Sequence, residues 1–130
     1  MAKINQNFEI YAGEDKQINF EITDENDDVV DLTDSNAVWV MVRLGKVNDY
    51  VVEKRVLSAI AANTLIGEDV PSGGIVISGN TYQVMLDETD TNVLNGKYRH
   101  ELRMIKGTDE TVAAIGQVTV YNSLTSGAVL

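Results

Sequence analysis

The stretch from Asp90 to Leu102, which reads DTNVLNGKYRHEL, constrains the fold of this chain more than any other. It places Asp90, Leu94, Gly96 and Tyr98 immediately ahead of an alternating segment. This is the pattern of a tyrosine corner, in which a Tyr hydroxyl bonds to the backbone a few residues upstream and fixes one corner of a β-sandwich. Gly96 allows the sharp turn that such a corner needs. We therefore predict a structural corner formed by these four residues.

Alternation of apolar and polar residues predicts short β-strands along the rest of the chain. The clearest case runs from Ile18 to Ile22, and the run from Ala37 to Leu44 is apolar on both faces, as in a central strand. About eight such segments with turn signals between them, and no sustained helical periodicity, predict an all-β sandwich. We expect one core that contains Phe20, Trp39, Val84, Leu102 and Val118.

Composition excludes several classes of function. The chain has 130 residues, enough for one domain with a real core, and no Cys for disulfides or thiolate sites. Its net charge of −10 repels phosphate backbones and anionic lipid, so we expect neither nucleic acid nor membrane as a partner. The start has no apolar signal-peptide core, and the longest apolar run, Ala37 to Val42, is too short to span a bilayer.

Two acidic segments could be candidates for a metal-binding site or a catalytic site. The segment Asp24 to Asp28 begins like a calcium-binding EF-hand loop, but Val29 and Ser35 stand where that loop needs Gly and Glu. We interpret it as a solvated turn. The acidic residues from Asp87 to Asp90 lie beside the corner without an aromatic wall for a sugar, so a helix-cap or turn role is favoured over paired catalytic carboxylates.

The single histidine, His100, shares a strand face with Tyr98 and Leu102. A catalytic or metal-binding His needs further partners that the sequence does not supply. We predict a hydrogen-bonded, half-buried structural His. We therefore predict no catalytic residue, no cofactor-binding residue and no metal ligand, and a protein that is not an enzyme and needs no cofactor.

Two apolar segments exceed what the sandwich itself requires. The connection from Ser58 to Ser72 has two interpretations: an irregular strand or short helix that covers an open end, or an arm that packs on a neighbouring subunit. We predict one sandwich domain over residues 1–122 and a C-terminal tail over residues 123–130. The candidate assembly contacts in these two segments are Ile60, Leu65, Ile66, Leu124, Val129 and Leu130.

The order of several short motifs resembles a known family. The motifs are Gly13-Glu14-Asp15, Ile18 to Thr23, Val30-Asp31-Leu32-Thr33, Trp39, Leu86-Asp87, Asp90-Thr91 and Gly96 to Leu102. Over about Asn7 to Tyr121 the chain resembles small immunoglobulin-like structural domains of tailed bacteriophages, such as the N-terminal domain of the phage baseplate upper protein family. The resemblance implies an immunoglobulin-like antiparallel β-sandwich of about 7–9 strands.

The resemblance also implies a function. We expect a virion structural protein, made in the host cytoplasm, that serves as an accessory or attachment module of the head, neck, tail or baseplate. Its partners would be other virion proteins and copies of itself in a homo-oligomer or symmetric multi-copy assembly. The alternative is a host-surface carbohydrate-binding or adhesion sandwich, for which the dispersed tyrosines supply no evident aromatic platform.

Overall fold

The computed structural model describes residues 6–46, 49–57, 74–106 and 109–122. These residues form eight strands and one short helix, in agreement with the all-β prediction. In chain order they are β1 (Phe8–Tyr11), β2 (Lys16–Glu21), β3 (Ser35–Arg43), β4 (Tyr50–Leu57), β5 (Ile75–Ser78), β6 (Thr81–Leu86), α1 (Glu88–Thr91), β7 (Gly96–Lys106) and β8 (Asp109–Tyr121). No helix in these ranges is long and apolar enough to cross a membrane.

The strands form two sheets, one with the order β1-β8-β7-β3-β4 and one with the order β2-β6-β5. All neighbours pair antiparallel except β1, which runs parallel to β8. The set β8-β7-β3 faces β2-β6-β5 as the G, F and C strands face B, E and D in immunoglobulin domains, and β4 takes the place of the additional strand of variable-type domains. The chain is therefore an immunoglobulin-like antiparallel β-sandwich, with eight strands in the described residues.

The core lies between the two sheets and contains all five residues that the sequence predicts for it. Trp39 is fully buried on β3, an interior strand of the five-stranded sheet, and residues 35–41 of this strand are buried on both faces. Leu32 is also fully buried, although it belongs to no strand. The segment from Val30 to Leu32 is held by single backbone bonds, such as the one from the Val30 N–H to the Ile22 oxygen.

His100 stands at a position that many immunoglobulin domains give to a cysteine. In those domains the corner Tyr lies two residues before the second Cys, and a Trp of the neighbouring strand packs on the disulfide. Here Tyr98 is followed two residues later by His100, whose ring lies 5.9 Å from that of Trp39 and 5.8 Å from that of Phe20 on β2. An aromatic cluster therefore occupies the place of the disulfide.

The prediction that His100 is half-buried is wrong, because the residue is only 2% exposed. The prediction that it is hydrogen-bonded is confirmed at both ring nitrogens. Its Nδ1 accepts from the indole Nε1 of Trp39 at 3.2 Å, and its Nε2 contacts the backbone oxygen of Gln6. Because an indole N–H only donates and a carbonyl only accepts, this pair of partners fits the neutral ring with its proton on Nε2. Burial lowers the pKa of His100 and the bond to Gln6 opposes that effect.

The two segments predicted to make assembly contacts lie outside the described residues. This holds for the connection from Ser58 to Ser72 and for the tail over residues 123–130. The six candidate contacts, Ile60, Leu65, Ile66, Leu124, Val129 and Leu130, therefore stay predictions.

Candidate interaction surface: the three-stranded sheet and its corner

The corner between β6 and β7 has the geometry that the sequence predicts. The hydroxyl of Tyr98 donates to the backbone oxygen of Asn95 at 2.9 Å and accepts from the N–H of the same residue at 3.3 Å. Gly96 has a φ of +95°, which favours glycine, and Leu94 packs into the core. These contacts fix where β7 enters the five-stranded sheet.

The acidic residues beside the corner form a capping box at α1. The carboxylate of Asp87 accepts from the backbone N–H of Thr89 at 2.9 Å and of Asp90 at 3.2 Å. The carboxylate of Asp90 in turn accepts from the N–H of Asp87 at 2.7 Å. The side-chain bond from Thr89 is the main cause that lowers the pKa of Asp87. These carboxylates therefore act in the helix-cap role that the sequence favours.

Lys54 joins this corner to β4 through an ion pair. Its Nζ lies 2.9 Å from the Asp90 carboxylate, and both side chains are mostly buried. Gly74 makes room for the Lys54 stem, since a Cβ at that glycine would collide with Lys54 Cδ. A cavity of about 630 Å³ lies beside this ion pair. It is lined by Asp15, Lys16, Gln17, Lys54, Gly74, Met85, Leu86 and Asp87, a set without an aromatic side chain on which a sugar ring could stack.

The acidic turn from Asp24 to Asp28 is exposed throughout. The carboxylate of Asp24 accepts from the backbone N–H groups of Asn26 at 2.8 Å and Asp28 at 3.0 Å, so it closes its own turn. Among the residues with described positions, no cluster of three or more His, Cys, Asp or Glu side chains is placed to hold a metal ion.

The outer face of the three-stranded sheet carries almost no charge. Its inner side chains, such as Phe20, Tyr82 and Val84, are buried, so the alternate residues point outward. These outward residues are Gln17, Asn19, Glu21, Val76, Ser78, Thr81, Gln83 and Met85, of which only Glu21 is charged. Val76 is 52% exposed and Met85 is 42% exposed. We call these eight residues the uncharged face, although Glu21 at its edge carries one charge.

The outer face of the five-stranded sheet has the opposite character, because ion pairs cross it. Arg103 on β7 lies 3.5 Å from Glu101 and 3.1 Å from Glu110, and all three side chains are partly exposed. Arg55 on β4 lies 2.7 Å from Glu53 but is itself buried. The two broad surfaces of one small domain therefore differ sharply in charge. Sequence reasoning missed this contrast, although the uncharged polar residues at the odd positions of β2 were a visible signal of it.

No protein-family model and no curated protein matches the chain. Among solved structures, it is similar to the extracellular fragment of novel immune-type receptor 11 from Ictalurus punctatus, including the stalk region. The match covers 95% of this chain and 87% of that chain, at 11% sequence identity and a TM-score of 0.46. The strand order and the Tyr98 corner define the fold of this chain independently of that similarity.

Proposed function

We propose that this domain is a non-enzymatic assembly module, and specifically a structural protein of a tailed-phage virion that docks on its neighbours through the uncharged face. The observation that carries the proposal is the contrast between the two sheet surfaces. The assignment to a phage also rests on the order of the motifs from Gly13 to Leu102, which resembles the order in the structural domains of such virions.

Charge decides which of the two surfaces is the better interface. The centres of protein interfaces are depleted in charged residues, because a charge removed from water must find a partner or lose its hydration energy. The chain carries a net charge of −10, yet only Glu21 on the uncharged face would have to be paired on docking. The amides of Gln17, Asn19 and Gln83 both donate and accept, so they can satisfy a partner's polar groups.

The adhesion alternative has less support from the same geometry. A carbohydrate site normally combines hydrogen-bonding groups with an aromatic side chain against the sugar ring. The cavity beside Lys54 has lysine, carboxylate and amide groups but no aromatic lining. A glycan array separates the two functions, since specific binding at that cavity would favour adhesion over assembly.

A matched pair of variants tests the proposal. Gln83→Lys places a charge on the middle strand of the uncharged face, and Gln117→Lys places the same charge at an outward position of β8. Both glutamines are half-buried and lie within strands. We expect unchanged melting temperatures for both, and for Gln83→Lys a loss of about tenfold in incorporation into purified particles, the effect of about 1.4 kcal/mol. Equal incorporation of the two variants would contradict docking through this face.

A further inference from the structure

The strand β2 is an open sheet edge without the usual protection. Among the described residues it pairs on one side only, with β6, over six residues in an unbroken register. Its charged residues, Lys16 and Glu21, stand at its two ends, and it contains neither Pro nor a bulge. Native proteins normally protect such an edge with charges, prolines, bulges or short strands, because its free backbone groups accept another strand.

The other three sheet edges are protected by short strands, charges or an irregular register. The strands β1 and β5 have only four residues each. The strand β4 has the consecutive charges Glu53, Lys54 and Arg55, and its pairing with β3 shifts register between Met41 and Val42. The edge at β2 is thus the longest stretch of uncharged, regular edge that the described residues present.

The pairing with β6 shows which backbone groups face away from the sheet. The N–H of Ile22 donates to the oxygen of Asn80 at 2.8 Å, which continues the register of β2 with β6. Backbone groups alternate in direction along a strand, so even-numbered residues of β2 point toward β6. The N–H and C=O groups of Gln17, Asn19 and Glu21 therefore point to the open edge.

We propose that this edge pairs antiparallel with the same edge of a second copy of the chain, about a two-fold axis at Asn19. The inference rests on the proposed function as an assembly module and names one of its partners. The pairing joins the two three-stranded sheets into one continuous six-stranded sheet, with the two uncharged faces side by side.

The register follows from strand geometry and charge. The two cores stay on the same side of the joined sheet only if odd residues pair with odd and even with even. With the axis at Asn19, Gln17 lies opposite Glu21 of the partner subunit, where its amide can donate to the carboxylate. Ile18 lies opposite Phe20 of the partner subunit on the core side. An axis at Ile18 would instead set Asp15 against Glu21 of the partner subunit, and directly opposed like charges are destabilising.

A second copy of the chain fits this edge because the pairing keeps the two Glu21 carboxylates far from each other. The two Glu21 carboxylates would lie about 14 Å from each other, from four residues at about 3.4 Å each. That separation exceeds the Debye length of about 8 Å at physiological ionic strength. The contact is small, so the isolated dimer is weak, and the many copies of an assembly strengthen it through effective concentration.

Concentration-dependent hydrogen exchange on the full chain, paired with sedimentation equilibrium, tests the inference. Between about 10 μM and about 1 mM we expect dimers to form and exchange at the Gln17, Asn19 and Glu21 amides to slow by about tenfold. The amides of Ile18 and Phe20 should be protected at every concentration. Asn19→Lys sets two like charges at the axis and should give a monomer, whereas Gln83→Lys, one strand away from the edge, should still dimerise.

Three results would overturn the inference. One is a protein that is monomeric at about 1 mM and exchanges its edge amides quickly. That concentration is on the order of the effective concentrations of linked sites. Another is a monomer whose edge amides are already protected, because another part of the same chain would then cover β2. The third is a dimer that Gln83→Lys abolishes and Asn19→Lys preserves, because the faces would then stack. A dimer that never enters particles would contradict the proposed function and leave this inference intact.

Discussion

His100 is held in its neutral form by geometry as well as by burial. A proton on Nδ1 would point directly at the indole N–H of Trp39, so the charged ring would lose one hydrogen bond and set two donors against each other. Phe8, Phe20 and Trp39 surround the ring without offering a charge to stabilise it. We therefore expect this core histidine to make the stability of the sandwich depend on pH.

The first prediction concerns that sensitivity. The pKa of His100 lies below its ordinary value of 6.5 in the folded chain, so unfolding takes up a proton between the two values. The free energy of unfolding should be constant above about pH 6.5 and should fall as the pH drops below it. Denaturant titrations from pH 8 to 5 measure the slope. Because His100 is the only histidine, His100→Leu should abolish it, and a slope that survives in this variant would contradict the assignment.

Acidic side chains act in a separate pH window. The pKa values of Asp31 and Asp87 are lowered from 3.8, chiefly by bonds from Thr33 and Thr89. Their contribution to stability is complete above about pH 5 and is lost only at lower pH. The change between pH 6.5 and 5 therefore reports on the histidine.

The second prediction concerns the corner hydroxyl. Tyr98→Phe keeps the ring in the core and removes the bond to the Asn95 oxygen, which should lower the free energy of unfolding by about 0.5–1.5 kcal/mol. The control is Tyr11→Phe, whose ring is 57% exposed and which should change stability very little. Equal stability of the two variants, measured by urea denaturation, would show that the corner bond contributes nothing.

Between elements, one ion pair joins β4 to the corner helix and another lies at the surface. Lys54→Met leaves the Asp90 carboxylate mostly buried without its cation, and we expect a loss of about 1–3 kcal/mol in the free energy of unfolding. Arg43→Met breaks the ion pair with Asp49, and both of these side chains are about half exposed. This variant should lower the free energy of unfolding by less than about 1 kcal/mol. A loss for Arg43→Met as large as that for Lys54→Met would contradict this ranking.

The strands and the corner were predictable from the sequence because their signals are local. Alternation marks β2, and Gly96 and Tyr98 lie within three residues of the Asn95 backbone that they organise. The pair of Lys54 and Asp90 was not predictable, since residues far apart in the chain meet only when the two sheets close. The depth of His100 was underestimated because its partners are distant in sequence: Trp39 lies on β3 and Gln6 precedes β1.

At the scale of the whole molecule, the sandwich presents two surfaces suited to different surroundings. The paired side chains of Arg103, Glu101 and Glu110 are partly exposed, so burying them would cost hydration energy, whereas the uncharged face of the three-stranded sheet is easier to remove from water. We expect the variant Val76→Glu to fold normally, because that side chain is exposed, and to be excluded from particles in the same way as Gln83→Lys. A Val76→Glu protein that enters particles at normal occupancy would contradict docking through this surface.

Electron microscopy of purified particles tests assembly through the uncharged face by locating that face on the virion. We expect density for this sandwich on the virion, with Gln83 and Met85 buried against a neighbouring subunit and Arg103 in solvent. Particles that lack the domain, or that bury the Arg103 surface and leave Gln83 and Met85 exposed, would contradict it.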